Sequence, residues 1–513
     1  MKKAFYLMAA FLVALTSCNK ESQLEKDNIS SGDKVYVTFS IQTLTTRSAT
    51  DTGSGDKYGS SDANPGVEVG LPKENKISSV DIVLRNANTY VCATVSTPTQ
   101  GTDATEWVAT FNSSQLETNT DYQVYIYANC SAKQNIDAIE NEAIGNMTQD
   151  NKFWMTNAYT PGIANFASFS TDSNNPTKLG EFYVERSMAR FDYMPKGPYT
   201  LADGVQVTLT HAALINQSKA FYLLRRVSND GTNSGWTVGG AETRANYVVD
   251  TDYAVKKDGY TAAQVSNFDY HMTKPTTWVW ESIAAADLKQ KDNWDGTDDG
   301  TTGSDKEHDA ALNEYYVWQY CKENTIPEKT EKETQTNGLS TGIVFKGQLS
   351  GDLVEAADGK TIYVFDNVMY GTWDKVVAAA KQADASEALK FAVEVCNNNG
   401  KAKDAATLAA AGFTGYSAEG GKYYTYYYYW NRHNDNGKNQ DMGKMEFAVV
   451  RNNVYKICVD EIAKYGHPKP GGGDPDPDPS DPGDPNEQGE YYFKVTAKVL
   501  PWVVRVNHVE FKY

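Results

Sequence analysis

Few residue patterns in this chain are of a kind that carries covalent chemistry, and the most specific is a cysteine. Leu15-Thr16-Ser17-Cys18 follows Lys2, Lys3 and an apolar run from Ala4 to Leu15. A positive n-region, a short h-region and small residues before the cut describe an export signal. The run is too short to remain as a membrane-spanning helix. A thiol at that place is the group that bacterial lipoprotein processing acylates, with signal peptidase cutting just before it. Several acyl chains bury many methylenes at about 0.8 kcal/mol each, so such an anchor is stable. The alternative is an ordinary signal peptide with an incidental cysteine. The other cysteines (Cys92, Cys130, Cys321, Cys396, Cys458) are an odd, widely spaced set without Cys-x-x-Cys spacing. Most lie in apolar patterns, where a free thiol behaves as a small buried hydrophobe. One disulfide is open, and no pair is assigned.

The remaining chemistry-bearing residues form no catalytic set. His211, His271, His308, His433, His467 and His508 are scattered, with no His-Glu-x-x-His or other ligand spacing. Gly415-Tyr416-Ser417-Ala418-Glu419 lacks the final glycine of a nucleophile elbow. No glycine-rich loop precedes a Lys-Ser/Thr pair. Asp295, Asp298, Asp299, Asp305 and Asp309 cluster around Gly296 and Gly300, but an EF-hand counted from Asp295 places Lys306 at its twelfth position, where a bidentate Glu is needed. A solvated loop is expected there, with no metal and no cofactor. Tyr423-Tyr424 and Tyr426 to Trp430 put aromatics on both faces of a strand; core packing explains most of them, and a sugar-stacking platform is the alternative. No enzymatic activity is expected.

A length of 513 residues suggests two domains with processed ends. Abundant Tyr with Thr, Val and Gly favours strands joined by tight turns. A formal charge of -18 argues against nucleic acid or anionic lipid as partners. After a polar tether from Asn19 to Asp33, Val35, Val37, Phe39 and Ile41 alternate with mostly polar residues, the pattern of a half-buried strand. Arg47, followed by Ser48, is the only basic residue from Val35 to Asp56, and sits in a Gly/Ser/Asp-rich loop just after that strand. Strand patterns follow at Ser79 to Leu84, Trp107 to Phe111, Tyr122 to Ala128 and Glu181 to Tyr193, the spacing of a β-sandwich. A second set begins near Val205 to Leu209, with a boundary placed around Lys196 to Leu201. His308 to Asn324, Trp373 to Cys396 and Ala405 to Ala411 read as helical insertions, before strand patterns resume at Tyr423 to Trp430 and Lys444 to Val459. Gly471-Gly472-Gly473 and an Asp-Pro tract then form an extended linker. Beyond it Phe493, Val495, Ala497 and Val499 share one face of a last strand. Pro501 breaks the run, and Trp502 to Phe511, with Val504, begins another extended segment. An isolated strand past a long linker must find a sheet to join, in its own molecule or another.

Several stretches resemble the fimbrillins of Bacteroidales, specifically the Mfa-type shaft subunits. They are Val184-Glu185-Arg186-Ser187-Met188-Ala189-Arg190, Tyr320-Cys321-Lys322-Glu323-Asn324-Thr325, Ser340 to Gly347, Tyr429-Trp430-Asn431-Arg432-His433, and Met445 to Tyr455. The resemblance implies a mainly β protein of two β-sandwich domains in tandem, the second with helical insertions. It also implies export as an outer-membrane lipoprotein precursor, palmitoylated at Cys18. An Arg-specific surface protease would cut between Arg47 and Ser48 and remove the strand of Val35, Val37, Phe39 and Ile41. A neighbour's tail, within Phe493 to Phe511, would refill the groove. The expected partners are other copies in a homopolymer, outer-membrane anchor and tip fimbrial subunits, and bacterial or host surface receptors, in adhesion and biofilm formation. The implied organisation is a signal peptide (1–17), a propeptide (18–47), an N-terminal domain (48–198), a C-terminal domain (199–467), a linker (468–489) and a donor segment (490–513).

Two other readings remain open on the sequence. One is a surface-anchored lipoprotein or tip-type adhesin that binds a glycan or host protein without polymerising. The other is an exported hydrolase, for which no catalytic set is present. Which of Phe493 to Val499 and Trp502 to Phe511 is the donor also stays open.

Overall fold

The computed structural model describes residues 34–43, 68–95, 106–229, 235–239, 247–249, 251, 264–272, 279–291, 315–325, 335–433, 445–470 and 493–503. The chain is mainly β. Its first part supplies β1 (Lys34–Thr43), the short β2 (Glu68–Val69), β3 (Val80–Arg85), β4 (Tyr90–Val95), β5 (Glu106–Asn112), β6 (Asp121–Ala128), β7 (Met155–Asn157), β8 (Ile163–Asn165) and β9 (Thr177–Arg186). β1, β3, β4, β5 and β6 are rich in Val, Ile, Tyr, Phe and Thr, as a pleated, half-buried surface favours. One sheet runs β4-β3-β6-β7-β9-β1-β5, with β8 attached to β6. Its inner residues, among them Val80, Ile82, Val124, Ile126, Met155 and Val184, form the first core.

β9 does not continue unbroken to Tyr193 as the sequence pattern suggested. It stops at Arg186, and β10 (Ala189–Met194) starts a new sheet after a bend at Ser187–Met188. The chain therefore changes sheet at Ser187–Met188, upstream of the turn at Lys196 to Leu201, while Met194 on β10 still packs in the first core. Phe221, Leu223, Leu224 and Val238 also pack in the first core.

The second sandwich pairs two sheets. Its further strands are β11 (Tyr199–Thr200), β12 (Gln206–Ile215), β13 (Tyr316–Cys321), β14 (Gly342–Ser350), and, within an insertion, β15 (Ile362–Phe365), β16 (Val368–Gly371) and β17 (Phe413–Tyr416). β18 (Tyr423–Trp430), β19 (Asn453–Ile462) and β20 (Phe493–Val503) complete the set. One sheet has the order β2-β20-β19-β10-β13, the other β11-β12-β14-β18. Phe191, Tyr193, Tyr455 and Ile457 from the first meet Leu209, Ile343, Phe345 and Tyr427 from the second.

Two expectations are corrected here. Tyr316–Cys321, expected within a helix, is a strand antiparallel to β10; its Tyr-Val-Trp-Gln-Tyr-Cys sequence is β-branched and aromatic, and a sheet edge was available. The rest of that predicted helix upstream of Tyr315, with His308, lies outside the described residues. The strand predicted from Lys444 starts only at Asn453. Before it, Met445 and Asn452 hold positive φ, and Met445 to Asn452 make buried turns whose backbone groups bond to side chains such as Gln335.

The helical insertion between β14 and β18 holds the expected helices, with Trp373 to Cys396 split in two: α2 (Trp373–Ala380), α3 (Glu387–Cys396) and α4 (Ala405–Ala410), numbered after the one-turn α1 (Pro72–Asn75); a further one-turn helix, Asp352–Glu355, precedes them. Ser386 caps α3 by accepting from the Leu389 N–H (3.1 Å), and Asp404 caps α4 through Thr407 (3.0 Å). Trp373, Val376, Leu389, Leu408 and Phe413 give the insertion its own core. It docks at the end of the second sandwich remote from the first. There Asp203 accepts from the Met369 N–H (2.9 Å) and the Tyr465 hydroxyl (2.8 Å).

Candidate functional site

The candidate site is the slot filled by β1. This strand runs parallel to β9, with Val37 opposite Thr177 and Thr43 opposite Val184. It runs antiparallel to β5, with Lys34 opposite Asn112 and Ser40 opposite Glu106. Val35, Val37, Phe39 and Ile41 are each 3% exposed or less. They join the first core beside Trp107, Ala109 and Phe111 of β5 and Phe182 and Val184 of β9. The Phe39 and Phe182 rings meet edge-on at 6.4 Å. The other face is polar, where Thr38 donates to Glu106 (3.2 Å). Among the described residues, β1 is the one ladder partner of β5.

The order of elements gives the slot a direction. β9 leads from the first sandwich into the second through Ser187–Met188, so β1, parallel to it, starts at the free end of the first sandwich and points towards the second. β19 starts at the junction, where Asn452 donates to the Met188 carbonyl (2.8 Å), and ends at the opposite, free end of the second sandwich. β20 pairs antiparallel with β19, Phe493 opposite Ile462 and Pro501 opposite Asn453. The tail strand is thus seated in its own chain, and its first residue, Phe493, lies at the free end of the second sandwich. Pro501, expected to break the strand, is tolerated at the last pair with β19, where a missing N–H costs little. Beyond it Trp502 and Val503 pair in parallel with Glu68 and Val69. Cys18, Arg47, Ser48, Val504 and the Asp295–Asp309 cluster lie outside the described residues.

Sequence reasoning missed a buried polar node just downstream of β1. The Glu74 carboxylate, on α1, accepts from the Leu71 N–H (2.7 Å), from the Tyr320 hydroxyl and from Arg190 (2.9 Å). Arg190 also grips both oxygens of Asp192 (2.8 Å each), and Lys456 reaches Asp192 at 3.0 Å. All four charged side chains are fully buried. Burial alone pushes the Asp192 carboxyl up, but Arg190 and Lys456 outweigh it and hold it below the usual carboxylate range. Arg186, from the same Glu-Arg-Ser-Met-Ala-Arg stretch, donates to the Glu74 carbonyl (3.3 Å) and to Asn75. The signal available in the sequence was charge at alternate positions (Arg190, Asp192) in an otherwise apolar strand. A second buried pair, Arg451 with Glu323 (3.0 Å), also binds the Tyr222 and Leu223 carbonyls. These groups clamp backbone and are closed to solvent.

The other candidates are packing. Tyr423 and Tyr427 enter the second core, while Tyr424, Tyr426, Tyr428 and Trp430 cluster with Trp280 on the outer face, where Lys346 lies 3.8 Å from the Tyr424 ring centre. Cys130, Cys321, Cys396 and Cys458 are free thiols, and burial pushes Cys321 and Cys458 up to about 12, far from a reactive thiolate. No group of metal-binding side chains occurs among the described residues, and none of their helices is long and apolar enough to cross a membrane.

Residues 421–508 match the family model described as "Major fimbrial subunit protein type IV, Fimbrillin, C-terminal". The match covers β18, β19, the linker and β20, so the fimbrillin resemblance read from short motifs has support in the C-terminal part of the chain. No curated protein matches. Among solved structures, the chain is similar to a putative cell adhesion protein of Parabacteroides distasonis (11% identity, 92% of this chain and 99% of that chain, TM-score 0.40). It is also similar to a fimbrilin of Porphyromonas gingivalis (13%, 93% and 99%, TM-score 0.37) and to the tip fimbrial protein of the same organism (9%, 91% and 100%, TM-score 0.34).

Proposed function

We propose that this chain is the structural subunit of a fimbrial shaft, exported as a lipoprotein precursor, cut after Arg47 and polymerised by donor-strand exchange. The observation that carries the reading is the seat of β1. It is the first described strand, closes the sheet between β9 and β5, and is followed within four residues by a lone arginine. A strand so placed is removable by a single cut, and its loss opens a groove lined by Trp107, Phe111 and Phe182 with two unpaired backbone edges.

The replacement has the right pattern and the right direction. Phe493, Val495, Ala497 and Val499 repeat the alternation of Val35, Val37, Phe39 and Ile41. A tail leaving the free end of the second sandwich enters a neighbour's first sandwich from its free end, running the way β1 runs. Burying four such side chains contributes roughly 6–12 kcal/mol gross, and each ladder hydrogen bond about 0.5–1.5 kcal/mol more. Before the cut, the tether gives β1 an effective concentration of roughly millimolar or above, which a neighbour's tail does not match. After the cut that advantage is lost. The contact is head-to-tail and does not close, so it builds a filament. In the same reading Cys18 carries the acyl anchor that the cut releases.

N-terminal sequencing of surface-sheared material, beside a gel run without boiling, tests this. Heat-labile ladders starting at Ser48 are expected. Monomer alone, starting at an acylated Cys18, contradicts the reading and favours the anchored adhesin.

A further inference from the structure

We infer that α3 and the insertion around it form a second contact between successive copies of this chain, seated on the free end of the neighbour's first sandwich near Ile163. The inference rests on the assembly reading above and names a surface that strand exchange alone does not need.

α3 has two apolar faces where its own fold uses one. Leu389, Ala392, Val393 and Cys396 point into the insertion's core. Phe391 and Val395, one turn apart on the opposite side, are 69% and 37% exposed. An i, i+4 apolar pair adds only about 0.2–0.5 kcal/mol to its own helix, and set side by side in water it presents a contiguous apolar patch open to a contact. Its place in the fold selects the occupant. The insertion leaves the sandwich after Ser350 and returns at Tyr423, which are the strand ends at the free pole of the second sandwich. The tail strand begins at that same pole, at Phe493 opposite Ile462. Whatever receives the tail is therefore tethered to the pole that carries the insertion.

The receiving end carries a matching feature. β8 pairs with the start of β6, Asn165 opposite Asp121 and Ile163 opposite Gln123, at the end of the first sandwich where β1 also begins. Ala164 of this strand is buried in the core, whereas Ile163 faces out and is 70% exposed. Ile163 and Phe391, the most exposed large apolar side chains among the described residues, thus lie at the two ends that a head-to-tail filament apposes. Strand exchange supplies the tie; this contact fixes the angle between subunits.

The test uses precursor cut in vitro by an Arg-specific protease, with ladder growth followed on unboiled gels. Phe391→Asp combined with Val395→Asp, and separately Ile163→Asp, should each slow growth roughly tenfold, the loss of about one buried side chain, with the monomer's thermal midpoint unchanged. Phe391→Cys combined with Ile163→Cys should give ladders that survive boiling and collapse with a thiol reductant, and only after processing. The inference is overturned if wild-type protein forms ladders, the charged variants match its rate, and the cysteine pair cross-links no more than either single variant. Wild-type protein that forms no ladder overturns the assembly reading itself, so the two failures are distinguishable.

Discussion

Truncating Phe39 to alanine tests whether β1 is a separable part of the first sandwich. Phe39 is buried against Phe182 and the β5 side chains, so the loss of packing and the cavity left behind should cost about 3–5 kcal/mol. If β1 undocks as a unit, that cost falls on its local opening rather than on the whole domain. Since β5 has β1 as its one ladder partner among the described residues, the amides of Trp107 to Phe111 report that opening. In uncut Phe39→Ala precursor their hydrogen exchange should quicken by roughly 10²- to 10⁴-fold at about 1.4 kcal/mol per decade, while amides of β3 and β6 keep wild-type protection. In cut protein the same change should speed polymerisation, because the old strand leaves sooner. Equal acceleration in β3, β5 and β6 would mean that β1 is an inseparable part of the fold, and the reasoning would fail. Unchanged β5 exchange would refute it equally.

Arg47→Ala should leave full-length, lipidated, monomeric protein; normal filaments from that variant on unboiled gels would contradict the cleavage step. Glu74→Ala leaves the buried node with one positive charge in excess, Arg190 keeping Asp192 but losing Glu74, and should lower stability in urea by about 3–5 kcal/mol, whereas exposed Glu387→Ala should change it little. His467 is buried beside Tyr428, and burial lowers its pKa to about 4. The unfolded imidazole, titrating near 6.5, takes up a proton first as pH falls, so stability declines between about pH 6.5 and 4. About 2 kcal/mol should be gone at pH 5, a decline that His467→Gln removes in denaturation curves compared at pH 7 and 5. Asp192 acts at lower pH. Its carboxyl is held below the usual range, so the stability it contributes is present above about pH 4 and is lost only as acid protonates the folded form.

Period-two alternation makes β1, β5, β6 and the tail strand legible in the sequence, because a one-residue slip turns every apolar side chain outward. Ala, Leu, Lys and Glu at helical spacing do the same for α3 and α4, while their capping residues Ser386 and Asp404 emerge only in the structure. Where the pattern misled, tertiary structure decided. Tyr316–Cys321 carries a mixture readable as helix or strand, and the free edge of β10 settled it. Ser187 and Met188 look like any strand residues, yet the bend there moves the chain between cores. The Glu74–Arg190–Asp192–Lys456 node joins residues up to 382 positions apart, so no local spacing announces it. The pairing of the tail with β19 was equally invisible, since its alternation says which face is apolar and not which sheet receives it.

A map of the assembled filament at side-chain resolution bears most directly on the central claim, because it identifies the occupant of the slot between β9 and β5. The account requires residues from Phe493 onward, contributed by the adjoining copy and running parallel to β9, with Phe493, Val495 and Val499 turned towards Trp107 and Phe182. Density for Lys34–Thr43 still in that slot, with β20 still on β19 of its own chain, would contradict it.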